Sequence, residues 1–371
     1  MTAPAASQLV LRFLASVGRP AEAQLYLSLF RAERRESFAL IAVDSEVAGV
    51  AADALAVDLE FLSQLGLSPI LAFDSAEQAA AMAAWLGPAA RAHVVEPGAA
   101  AHLARQGGIA LVPLAEAGHG LYERERLEQL CRMCAALGTR KVVLLGADSG
   151  LARSSGEPLS IVDVTAEWDE LTAPGALSEI HGEVLRRARA LIDAAPHAMT
   201  VAVTSPLDLL RELFTVRGAG TLVRRGAAVT VHERLGDLDR GRLGELIEAA
   251  FGRRLRPEFW DRPIERAYLA GDYRGAAVVM PTAQGSYLSK LAVGATARGE
   301  GIGRDLWRLL CRDYPALFWR SRPDNPIVPW YQEQCNGMVK AGPWHVYWRG
   351  LDVERIAAAI EAARAAPADF E

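Results

Sequence analysis

Apolar positions along the first 215 residues alternate between two textures: stretches with a helical period, and short runs that are apolar throughout. Residues 7–17 and 21–33 predict helices, with Pro20 suited to a first helical turn. The run Phe38-Ala-Leu-Ile-Ala-Val43 is continuous, as in a strand buried on both faces. Residues 47–65 predict a helix ended by Gly66, residues 69–73 a second strand and residues 76–86 a further helix. Residues 109–113 and 141–145 predict strands on either side of a helix over 123–137. A strand at 200–204 and a helix at 206–214 complete the series. Strand, helix, strand with short loops predicts a parallel sheet sandwiched by helices.

The texture changes after Gly218-Ala-Gly-Thr-Leu-Val-Arg-Arg-Gly226, which is glycine-rich and then basic. Residues 239–251 predict an amphipathic helix. From Arg266 strands and helices mix, and six of the eight tryptophans fall between Trp260 and Trp348. These shifts predict two domains, 1–225 and 226–371, and a length of 371 residues suits two.

Composition removes several classes of function. Apolar residues make up 51% and charged residues 23%, enough for ordinary globular cores. No apolar run reaches the roughly 18 residues a membrane span needs. Residues 1–7 lack the basic start and apolar stretch of a secretory signal. A net charge of −5 gives no hint of a nucleic-acid-binding face. Together these lead to the expectation of a cytoplasmic protein. Cys131 and Cys134 form a lone C-x-x-C on one face of the helix over 123–137. Without a second ligand pair they read as packed small residues, and no metal site is expected.

The sharpest local signal is Lys290-Leu-Ala-Val-Gly-Ala-Thr-Ala-Arg-Gly-Glu-Gly-Ile-Gly303. Residues 287–293 predict a strand, and Leu306, Leu309 and Leu310 the buried stripe of the following helix. The turn between them holds Arg298, Gly299, Gly301 and Gly303. Glycine lets backbone approach a bulky anion, and the free N–H groups at a helix start are donors for phosphate oxygens. A dinucleotide loop would read G-x-G-x-x-G at the start of a βαβ unit. Here the order is R-x-x-G-x-G.

That order resembles the pyrophosphate loop of the GNAT acetyltransferases. A second stretch narrows the resemblance: Leu317-Phe-Trp-Arg-Ser-Arg322, then Asn325-Pro and Trp330-Tyr331, then Pro343-Trp-His-Val-Tyr-Trp-Arg-Gly350. With Tyr287-Leu-Ser-Lys290 and residues 211–223, these resemble the vertebrate-type N-acetylglutamate synthases and the bacterial fused N-acetylglutamate synthase/kinases. The resemblance implies an α/β fold, an amino-acid-kinase-like domain followed by a GNAT domain. It implies acetyl-CoA as cosubstrate, held at Leu291, Ala292, Val293, Arg298, Gly299, Glu300, Gly301, Ile302 and Gly303. It also implies L-glutamate as acceptor, L-arginine as an effector bound near Leu145-Gly-Ala-Asp-Ser-Gly-Leu151, and a homo-oligomer.

The residues make chemical sense beside the name. Arg320 and Arg322 stand i and i+2 on a strand and so point to one face. Guanidinium groups hold carboxylates bidentately. Lys290 lies on the adjacent strand, Asn325 can orient a carboxylate or amide, and the Tyr331 phenol can protonate the leaving thiolate. The sequence departs from the family pattern at Val328, where a second Asn is usual, and at Cys335-Asn336-Gly337, where S-D-G is usual.

The kinase half has lost its expected chemistry. The loop after Val43 is Asp44-Ser45-Glu46 and the loop after Phe73 is Asp74-Ser75-Ala-Glu77. Glycines and a lysine would serve a polyphosphate there, whereas paired carboxylates repel one. The reading is therefore an acetyltransferase of L-glutamate without kinase activity. Two alternatives stay open: an impaired paralogue that regulates an active synthase/kinase, or a GNAT enzyme with another amine acceptor.

Overall fold

The computed structural model describes residues 39–87, 90–114, 124–215, 218–297 and 301–371. The helices expected at 7–17 and 21–33 lie outside the described residues. So do Arg298, Gly299 and Glu300 of the glycine loop. The chain divides into two compact units, Met1–Arg225 and Gly226–Glu371.

The first unit is built on an eight-stranded sheet. Its strands are β1 (Leu40–Val43), β2 (Ile70–Phe73), β3 (Ala92–Val94), β4 (Ile109–Pro113), β5 (Lys141–Leu145), β8 (Ile161–Asp163), β9 (Thr200–Thr204) and β10 (Thr221–Arg224). Two short strands, β6 (Leu151–Ala152) and β7 (Pro158–Leu159), form a separate ribbon. The order is β3-β4-β2-β1-β5-β9-β10-β8. All pairs are parallel except β9 with β10, so the last two strands run against the rest. The expected parallel sheet is present, with β10 and β8 reversed at one edge.

Helices cover both faces, as the continuous burial of β1 and β2 requires. Ile41 and Val43 point into a core shared with α1 (Ser45–Val50), α2 (Ala52–Gln64) and α3 (Ala76–Trp85). Leu40 and Ala42 point into the opposite core, with α4 (Pro97–Arg105), α5 (Arg124–Leu137), α6 (Trp168–Leu171) and α7 (Glu179–Ala194). The expected single helix over 47–65 is two, because the Asp44 carboxylate caps a start at Ser45 and the backbone breaks at Ala51. Helix α7 has no counterpart among the sequence expectations, although Ser178 caps it and Val184, Leu185, Ala188, Leu191 and Ile192 form a buried stripe. Helix α8 (Leu209–Phe214) follows β9.

The second unit holds a seven-stranded sheet: β11 (Val229–His232), β12 (Arg266–Ala270), β13 (Gly275–Thr282), β14 (Gly285–Val293), β15 (Leu317–Ser321), β16 (Gly337–Ala341) and β17 (Trp344–Arg349). The order is β11-β12-β13-β14-β15-β17-β16. One face packs on α9 (Arg240–Phe251) and α12 (Val353–Ala365), the other on α10 (Ile302–Asp313) and α11 (Val328–Gln334). Neighbours are antiparallel except β14 and β15. Those two register only at Tyr287↔Phe318 and Leu288↔Trp319 and then part. The result is a wedge in the middle of the sheet, lined by the β15-facing edge of residues 289–293.

Candidate active site

The wedge and its two faces carry the residues singled out from the sequence. Strand β14 bulges at Ser289, where register against β13 slips between Val278 and Val279. The extra residue puts Tyr287, Lys290 and Ala292 on one face and Leu288 and Leu291 on the other. Strict alternation would have set Tyr287 and Lys290 on opposite sides.

On the α9/α12 face, Lys290 is 3% exposed and forms an ion pair with Asp369. Its ammonium also meets Ser289 Oγ at 3.0 Å and the Ser289 carbonyl at 3.2 Å. It lies 5.1 Å from the ring centres of both Phe259 and Phe370. Burial pulls the Lys290 pKa down to about 8, against the pull of Asp369. Arg262 pairs with the other Asp369 oxygen, and Ser289 Oγ donates to the carboxylate at 3.3 Å.

Arg320 shares this face. Its guanidinium donates to the carbonyls of Ala363 at 2.6 Å, Arg364 at 3.1 Å and Pro367 at 3.0 Å, all at or beyond the end of α12. It stacks on Trp344 at 4.1 Å, and Arg322 lies over the same ring at 4.5 Å. Asn325 does local work: its Oδ1 accepts the Ile327 N–H at 3.1 Å and its carbonyl accepts the Val328 N–H, fixing the turn into α11.

Tyr331 sits on the other face. It is 6% exposed, in a cluster with Trp319, Trp330 and Tyr347 whose ring centres lie 5.5–5.6 Å from its own. Burial raises the phenol pKa well above the ordinary tyrosine range, so the group is a protonated donor at neutral pH. Lys290 and Arg320 thus come together, while Tyr331 lies across the sheet from them. Tyr287 is within electrostatic reach of both groups, and burial pushes its phenol up to about 12. Sequence reasoning passed over Arg262 and Asp369, which no local motif marks, and gave Trp344 no role although its stretch was singled out.

Leu291, Ala292 and Val293 follow the bulge along the wedge and run into the turn before α10. Gly301 caps that helix in the left-handed region at φ 78°, and Ile302 and Gly303 begin it. The first-turn N–H groups of α10 are the donors such a turn offers to an anion.

In the first unit, the loops after β1 and β2 are tied to each other. Ser45 Oγ donates to the Asp74 carboxylate, and Arg126 from α5 pairs with it at 3.3 Å, both side chains being buried. Burial raises the Asp74 carboxyl above the usual range. Cys134 is buried within α5, and burial pushes its thiol up to about 12, far from a reactive thiolate. The loop after β5 carries Asp148, whose carboxylate meets His181 Nε2 at 3.1 Å. Among the described residues, no helix is long and apolar enough to cross a membrane.

Comparison with known proteins agrees with this architecture. The sequence profile of NAT, the N-acetyltransferase of N-acetylglutamate synthase, matches residues 230–366. An acetylglutamate kinase of Xylella fastidiosa is 34% identical over 212 residues, covering 57% of this chain and 50% of the relative. The mitochondrial N-acetylglutamate synthase of Mus musculus is 34% identical over 233 residues, covering 61% of this chain and 44% of the relative. The chain therefore spans about half the length of the curated relatives it matches. The crystal structure of N-acetylglutamate synthase from Neisseria gonorrhoeae, complexed with coenzyme A and L-arginine, aligns with a TM-score of 0.53 at 16% identity. It covers 89% of this chain and 97% of that one, a likeness of fold. Residues 230–366 thus match the N-acetyltransferase of N-acetylglutamate synthase, and the chain is similar, over 57% and 61% of its length, to an acetylglutamate kinase and an N-acetylglutamate synthase.

Proposed function

We propose that this chain moves an acetyl group from acetyl-CoA to the amino group of L-glutamate and has no kinase activity. One observation carries the acceptor class: the face beside the wedge already holds a carboxylate, that of Asp369, between Arg262 and Lys290. A site that holds a carboxylate on a methylene with two cations has the chemistry an acidic amino acid needs. Acetyl-CoA would enter from the α10 side, its pyrophosphate on the turn ending at Gly301 and its thioester in the wedge. The neutral acceptor amine attacks the thioester carbon, the C–S bond breaks, the Tyr331 phenol gives its proton to the thiolate, and the proton shed by the new amide nitrogen passes to solvent, from which the phenol is restored.

The absence of kinase chemistry rests on the first unit's loops. Asp44 and Asp74 stand where a phosphate would need donors, and Ser45 and Arg126 are already engaged by Asp74. An L-arginine effector and a homo-oligomer belong to the same proposal. Asp148, 72% exposed in the loop after β5, supplies a carboxylate for a guanidinium.

The test is thiol release from acetyl-CoA across a panel of amino acids, with ADP formation from ATP and N-acetylglutamate measured alongside. L-Glutamate should be the preferred acceptor. Lys290→Met should raise its KM about 10- to 150-fold, the worth of a charge-assisted hydrogen bond, and leave that of acetyl-CoA nearly unchanged. Equal loss towards a neutral amine would overturn the acceptor reading. Kinase turnover near one per second, within the usual range for enzymes, would overturn the other half.

A further inference from the structure

Residues 366–371 follow α12 and run along the face that holds Lys290 and Arg320. The segment is pinned to the loop after α9 by backbone bonds. Arg256 N–H donates to the Asp369 carbonyl at 2.9 Å, Glu371 N–H to the Arg254 carbonyl at 3.0 Å, and Leu255 bridges Phe370. Arg256 Nε donates to the Phe370 carbonyl at 3.1 Å, and the Phe370 ring lies 5.0 Å from that of Phe251. At its other end the segment is held by Arg320, through the carbonyls of Ala363, Arg364 and Pro367. Its one buried side-chain charge, Asp369, is held by Arg262, Lys290 and Ser289.

Two of the cations that hold the segment are thus those assigned to the acceptor. An aspartate side chain and the distal end of glutamate are the same group, a carboxylate on a methylene. Lys290 cannot fully satisfy both carboxylates at once, nor can Arg320 serve an acceptor while it holds the carbonyls of Ala363, Arg364 and Pro367.

We propose that Asp369 is an internal occupant of the acceptor's carboxylate site, and that an acidic acceptor binds by displacing it together with residues 366–371. The inference rests on the acceptor reading above and adds a specificity-determining residue to it. Occupancy by Asp369 lowers the fraction of molecules able to take the acceptor, so apparent affinity falls by that fraction. Linkage is reciprocal: an acceptor that recruits Lys290 and Arg320 must loosen the segment by the factor the segment costs it. Arg320 connects the two events, because leaving the Arg364 carbonyl for a ligand also frees the end of α12.

The experiment uses the full chain and two readouts. In the first, thiol release is followed with L-glutamate, L-glutamine and L-leucine for wild type and Asp369→Asn. The expected result is a KM for L-glutamate about tenfold lower in the variant, with those for acetyl-CoA and the two neutral acceptors unchanged. The second readout is trypsin cleavage after Arg364 in the wild type, followed by mass spectrometry. L-Glutamate should accelerate loss of residues 365–371 and L-glutamine should not. An unchanged or higher KM for L-glutamate in Asp369→Asn, or cleavage indifferent to L-glutamate, would overturn the inference and leave Asp369 as a fixed counter-ion of Lys290. Failure of the acceptor reading looks different: neither protein acetylates L-glutamate, while both acetylate a neutral amine.

Discussion

Lys290 and Asp369, 79 residues apart, form an ion pair whose side chains are 3% and 9% exposed. The pair joins a strand beside the wedge to the segment after α12. Burial lowers the Lys290 pKa to about 8 against the pull of Asp369, so the lysine titrates near neutral pH.

Acceptor binding should therefore depend on pH. The ammonium is present below about 8 and is lost as pH rises through that value. Asp369, Arg262 and Arg320 face it. The KM for an acidic acceptor should rise through this window while that for acetyl-CoA stays level. Lys290→Arg should flatten the rise. Initial rates from about pH 6 to 10, the span that brackets the lysine's transition, would read both.

Tyr331→Phe keeps the ring among Trp319, Trp330 and Tyr347 and removes only the donor. The variant should fold as the wild type does and lose kcat by about 10² or more, with both KM values nearly unchanged. Full kcat in the variant would make the phenol a packing residue.

The α10 turn offers a pair of glycines with opposite expectations. Gly301 has φ 78°, where a branched side chain costs roughly 1–2 kcal/mol and crowds the anion site, so Gly301→Val should abolish acetyl-CoA binding. A Cβ on Gly303 would meet Val293 Cγ2 at 3.5 Å, an ordinary contact, so Gly303→Ala should fold normally. Calorimetric titration of both variants with acetyl-CoA compares them directly.

Asp74→Ala removes one member of a buried ion pair with Arg126 and the acceptor of the Ser45 hydroxyl. Breaking a buried pair from one side costs about 3–5 kcal/mol, and the loss should appear in denaturant unfolding. A variant as stable as wild type would mean that Asp74 does not lock the two loops.

The sequence by itself determined the strand and helix textures, the glycine turn before α10 and the presence of cations on β14 and β15. Each follows from neighbours within a few residues: apolar periodicity, a left-handed turn position, or side chains two apart on a strand. Packing decided the rest. The bulge at Ser289 depends on the register of β13 against β14, and it brings Tyr287 and Lys290 to one face. Tyr331 falls on the opposite face because α11 packs with α10, a layer that motif spacing does not reveal. Asp369 reaches Lys290 only because α12 returns across the sheet and delivers residues 366–371 to it. Local propensity acts over a few residues, whereas a charge pair 79 residues apart is set by how the layers stack, so the occupant of the cation site became visible only in the folded chain.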